Sequence, residues 1–117
     1  MPVPRKIRTY GGYFEAFIDM LQEDVRKKID YGLLLLKTQE RLNLKFVKHI
    51  KDGIYELRTK VGSDIYRVFF IFDEGNIVVL FNGFQKKTQK TPTNEIDKAI
   101  QIKEQYYADK RSSDKRL

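Results

Sequence analysis

The stretch from Gly53 to Phe84, GIYELRTKVGSDIYRVFFIFDEGNIVVLFNGF, constrains the fold more than any other part of the chain. Three runs rich in β-branched and aromatic residues are separated by two short turn clusters, Gly62–Asp64 and Asp73–Asn76. Turns this tight join only antiparallel neighbours, so the stretch predicts a three-stranded meander. In the first run Tyr55, Leu57, Thr59 and Val61 point one way and Glu56, Arg58 and Lys60 the other, the period of two that a strand imposes.

Upstream the period changes. Phe14, Phe17, Ile18 and Leu21 follow i, i+3, i+4, i+7 spacing, and Val25, Ile29, Leu33 and Leu36 extend the stripe. The polar Gln22–Asp24 interrupts it. An α-hairpin is expected, with one bent helix as the alternative; Glu23 and Asp24 suit the positive N-terminus of a second helix. KFVKHI, residues 45–50, reads as a short strand or a loop, and KIRTY, residues 6–10, as an edge strand. Downstream, Thr91 is the expected N-cap and Pro92 the first helical residue of a closing helix. Ile96, Ala99, Ile100 and Tyr107 lie near one face of it, and residues from about 109 to 117 are expected to fray. The order predicts one α+β domain over residues 1–117, with helices packed on an antiparallel sheet.

Hydrophobic residues make up 41% of the chain, enough for one core. Without cysteine, disulfides and thiolate metal sites are excluded. No apolar run approaches a membrane span, and no apolar segment follows the basic N-terminus, so neither a membrane helix nor a secretory signal is expected. The net charge of +7 favours a polyanionic partner; the plain alternative is a basic surface that binds nothing charged.

Motifs for metal-dependent hydrolysis, nucleotide binding and Ser-based acyl transfer are missing. The single histidine, His49, sits near a turn and reads as a surface or partly packed residue. What the chain does offer is cations on neighbouring strands. Arg58 and Lys60 share a face of the first meander strand, and Arg67 stands inside the apolar run that follows. An arginine there needs a partner or a wet groove, and Glu56 and Asp64 are the candidate partners. Lys86 and Lys87 leave the end of the third strand, so these cations can converge on one surface. Converging cations permit RNA cleavage by its own 2′-hydroxyl, which needs a stabilised phosphorane and proton transfer but no protein nucleophile. A lysine crowded by cations has a lowered pKa and can move that proton. The same cations also serve simple phosphate binding, and on these residues alone both readings stand.

Tyr-Glu-Leu-Arg at Tyr55–Arg58, Tyr-Arg-Val at Tyr66–Val68 and the Gly-Phe-x-Lys-Lys-Thr tail with Thr-Pro at Gly83–Pro92 resemble the RelE/ParE superfamily of type II toxins. The similarity is greatest to the HigB-like, phage-related branch. The resemblance implies a RelE-like α+β fold and a cytoplasmic toxin that cuts mRNA on the 70S ribosome without a metal or cofactor. It also implies a cognate antitoxin, usually a helix-turn-helix DNA-binding protein, and no membrane partner. By the same resemblance Arg58, Arg67, Lys86 and Lys87 take the catalytic cation positions, and Lys48, Lys60 and Lys90 add RNA contacts. The chain departs from RelE in two places. Glu56 stands where RelE carries a lysine, and RelE's tyrosine near the scissile site has no counterpart; Tyr106 and Tyr107 are expected to pack the helix instead. The alternative within the superfamily is a ParE-like toxin that inhibits DNA gyrase without catalysis.

Overall fold

The computed structural model describes residues 4–86 and 92–115. In chain order the elements are β1 (Lys6–Thr9), α1 (Tyr13–Asp19), α2 (Glu23–Thr38), β2 (Val47–Lys51), β3 (Ile54–Val61), β4 (Asp64–Asp73), β5 (Ile77–Lys86) and α3 (Thr93–Lys115). The architecture is α+β, with five strands in the order β1-β5-β4-β3-β2.

The meander forms as three antiparallel strands because its turns supply left-handed backbone where the chain reverses. Gly62 turns β3 into β4, and Glu74 with Gly75 turns β4 into β5, all at positive φ. KFVKHI becomes β2, joined to β3 through Asp52 and Gly53, the Asp-Gly pair that a tight hairpin favours. β1 lies at the other edge but pairs parallel to β5, from Lys6 opposite Ile77 to Thr9 opposite Leu80. The expectation of a purely antiparallel sheet is therefore corrected. The connection from β1 to β5 runs through two helices and the meander, so no hairpin dictates its direction.

Each face of the sheet has its own core. Phe17 of α1 and Val25, Ile29 and Leu36 of α2 pack on Leu57, Tyr66, Val68, Phe70, Val78 and Leu80. Met20–Gln22 separates α1 from α2, so two helices form rather than one bent one. On the opposite face Ala99 and Ile102 of α3 pack on Ile54, Phe69, Ile71, Val79 and Phe81.

Two further expectations change. α3 runs through Lys115, so residues 109–115, read from sequence as a frayed tail, are helical. Side chains tether this part: Tyr10 donates to Asp109, and Lys110 bonds Asp73 and Glu74. The helix starts at Thr93, one residue after Pro92, and the expected cap Thr91 lies outside the described residues.

Between β4 and β5 the register shifts. Val68 is opposite Gly83 but Phe70 is opposite Leu80, so Phe69 alone faces Phe81 and Asn82. This bulge reverses the face to which every later β5 residue points. Gly83 turns toward α1, where a Cβ would meet the Phe17 ring at 2.3 Å. Phe84 and Lys86 therefore turn toward the α3 face, opposite Arg67 and Ile65.

Candidate functional site

Register collects most of the sequence's candidate cations on one face. On the α3 side of the sheet Lys48 is opposite Glu56, Arg58 is opposite Arg67, and Arg67 is opposite Phe84. The next row is Lys60, Ile65 and Lys86. Side chains in adjacent strands at the same register are immediate neighbours. α3 covers the rest of this face and is anchored beside the cations, where buried Asn82 donates to the Glu95 backbone carbonyl and carboxylate at 3.2 and 3.0 Å.

The individual environments differ. Arg58, Lys48 and Lys60 are exposed. Lys86, at the end of β5, is half-buried. Its ammonium is pushed below the ordinary lysine range, first by burial and then by the charges of Arg67, Arg58 and Lys48. Lys87 and Lys90 lie outside the described residues.

Arg67 is only 6% exposed, and Glu56, the residue that alternation alone placed beside exposed Arg58 and Lys60, is only 1% exposed. The two form a buried ion pair through Arg67 Nη1 and Glu56 Oε1. Glu56 is opposite Phe69 in register, and the pairing with Arg67 compensates a carboxylate that burial alone would make costly. Of the partners open to Arg67 from sequence, Glu56 is the one used. Arg67 Nε and Glu56 Oε2 have no hydrogen-bond partner among the described residues.

His49 stands apart. It is exposed on β2 with its ring 5.0 Å from that of Tyr55, on the face opposite Lys48. Tyr106 and Tyr107 belong to α3 packing. Tyr106 donates to Asp73 at 2.5 Å and stacks edge-on against Tyr10. What the sequence did not show is that the Glu56–Arg67 pair is buried rather than set in a wet groove; the signal was the place of Arg67 inside an apolar run. Among the described residues no group of His, Cys, Asp and Glu side chains is arranged to hold a metal. No described helix is long and apolar enough to cross a membrane.

The face thus presents exposed Arg58, Lys48 and Lys60 around a lysine of depressed pKa, with a neutralised Arg67 beneath. Such a surface can bind phosphate and can move one proton. No curated protein sequence matches the chain. Residues 16–104 match the family described as Phage derived protein Gp49-like (DUF891), and they take in the second half of α1, all of α2, the whole meander and about the first half of α3. On that match, which covers more than half of its length, the chain belongs to the phage-derived Gp49-like family, a family tied to RelE/ParE-like toxin–antitoxin modules.

Proposed function

We propose that the chain is the toxin of a type II toxin–antitoxin pair of the HigB-like branch, with a RelE-like fold, and that it cleaves mRNA on the ribosome in the cytoplasm. The observation that carries the reading is Lys86, a half-buried lysine of depressed pKa surrounded by Arg58, Arg67 and Lys48. A lysine whose hold on its proton is loosened by burial and by neighbouring cations suits proton transfer. In this reading the Lys86 amine takes the 2′-hydroxyl proton as the 2′-oxygen attacks the adjacent phosphorus. Arg58 and Lys48 lie against the negative charge of the phosphorane. The bond from phosphorus to the 5′-oxygen then breaks, and that oxygen takes a proton from water or the Lys87 ammonium. The products are a 2′,3′-cyclic phosphate and a 5′-hydroxyl. Arg67, held by Glu56, contributes its field rather than a free fork. Lys60 and Lys90 add backbone contacts to RNA. The partners are the 70S ribosome with its mRNA and a helix-turn-helix antitoxin.

A second reading draws on that same ion pair. Arg67 committed to Glu56 leaves fewer free cations for a transition state, which favours a ParE-like inhibitor that binds without cutting. Primer extension on mRNA, with purified protein and programmed ribosomes, separates the two. Cuts within codons that fall roughly 100-fold or more in Lys86→Ala support the nuclease, that being the scale of a proton-transfer residue. Intact mRNA together with loss of gyrase supercoiling would transfer the chain to the ParE-like reading.

A further inference from the structure

The segment Asn82–Lys86 can pair with β4 in two registers, which give Lys86 opposite faces of the sheet. In the observed one Val68 is opposite Gly83 and Ile65 is opposite Lys86, one residue out of step with Phe70 opposite Leu80. Without the bulge, Val68 would be opposite Asn82, Tyr66 opposite Phe84 and Asp64 opposite Lys86. Every side chain from residue 82 to residue 86 would then change face. Lys86 would stand beside Asp64 on the α1 and α2 side, away from Arg58 and Arg67.

Most of these residues have little at stake in the choice. Gly83 has no side chain to place. The Phe84 ring lies 5.3 Å from that of Phe69, and in the other register it would meet the buried ring of Tyr66 instead. Gln85 is exposed and Lys86 half-buried at the end of the strand, where either face leads to water. Asn82 is different. It is 2% exposed, and its amide donates to both the backbone carbonyl and the carboxylate of Glu95, in the first turn of α3. Its Oδ1 has no hydrogen-bond partner among the described residues, so its hold on α3 is through its donors. On the other face it would point into the apolar cluster around Phe17 and Val68. A buried amide stripped of its hydrogen bonds is strongly unfavourable, so the register follows Asn82.

The geometry points to Asn82 as a positioning residue: by tying β5 to the first turn of α3 it selects the bulged register, and the bulge sets Lys86 beside Arg58 and Arg67. It acts on Lys86 through strand parity. The placement stands on the pairing and the hydrogen bonds; its bearing on catalysis rests on the reading of Lys86 as the proton-transfer group.

Asn82→Leu and Asn82→Ala remove the donors, the first with a side chain of similar shape. In each, cross-strand NOEs report the register and an NMR titration reports the surroundings of Lys86. The wild type should show NOEs between Val68 and Gly83 and between Ile65 and Lys86. In the variants Val68 should contact residue 82 and Asp64 should contact Lys86. The Lys86 titration should rise toward the ordinary lysine range, because the strand then carries it away from Arg58, Arg67 and Lys48. Asn82→Asp sets a carboxylate against that of Glu95 and should shift the register in the same way. Adding Glu95→Gln supplies a donor and should restore it, which gives the answer where the apolar variants do not fold. A folded variant that keeps Val68 opposite Gly83 and a depressed Lys86 titration would overturn the proposal. With programmed ribosomes, Asn82→Leu should lower kcat roughly 100-fold, as far as Lys86→Ala does, with KM little changed. A wild type that leaves mRNA intact removes the nuclease reading and leaves the register result standing.

Discussion

Glu56 and Arg67 show how one side chain changes the meaning of another. A buried ion pair contributes little net stability, but breaking it strands a charge. Glu56→Gln should therefore destabilise the protein by about 3–5 kcal/mol, read as the shift of the urea unfolding curve. Replacing both partners with apolar residues, Glu56→Leu with Arg67→Met, should restore most of that loss, because no unpaired charge remains. Lys86 offers a second measurement at this scale. Its depressed pKa owes part of its shift to Arg58, so Arg58→Ala should move the titration of Lys86 back up toward the ordinary lysine value. An NMR titration of the Lys86 side chain checks this; an unchanged midpoint would mean that Arg58 contributes nothing to the shift. Tyr106 supplies a third. Its phenol is pushed up to about 12 by burial and by the hydrogen bond to Asp73. A group whose folded pKa lies above its unfolded value, here 10.0, stabilises fully below the unfolded pKa and loses that contribution as pH rises through the folded one. Stability should thus fall between pH 10 and about 12. Tyr106→Phe should flatten part of that decline and leave the part due to Tyr10, which is also pushed up to about 12.

Two glycines in defined elements predict opposite outcomes at the element scale. Gly32 lies within α2, where a Cβ would find ordinary contact with Leu57. Gly32→Ala should stabilise by up to about 1 kcal/mol, the helix-propensity difference. Gly83 lies just past the bulge, where the same added carbon would strike the Phe17 ring at 2.3 Å. Gly83→Ala should cost about 1–3 kcal/mol through overpacking, measured as a fall in thermal midpoint. The elements themselves were largely legible in sequence, because periods of 2 and 3.6 are local properties and turn residues mark where strands end. The direction of β1 was not, since a long connection leaves its pairing to the core. Nor was the extent of α3. Its last turns carry few apolar residues and are held by Tyr10, Asp73 and Glu74, which are remote in sequence.

Across the whole molecule, the two faces of one sheet carry different chemistry: a cationic surface beside α3 and an apolar groove beside α2. If the cationic face meets RNA backbone, binding to ribosomal RNA or mRNA should weaken steeply with salt through counterion release, and Arg58→Ala should reduce the slope of log affinity against log salt by about one. A slope that does not change would remove Arg58 from the phosphate contacts. The sequence by itself determined the α+β class, the meander, the helical stripes and the presence of a cation set near Arg58, Arg67 and Lys86, because each rests on spacing along one segment. Tertiary structure alone decided which cations act together and which is neutralised. The Phe81–Asn82 bulge inverts the parity of β5 and carries Lys86 to the face of Arg58, and strand register brings Glu56 within reach of Arg67. Both depend on pairing between strands, a relation that no single stretch of chain encodes.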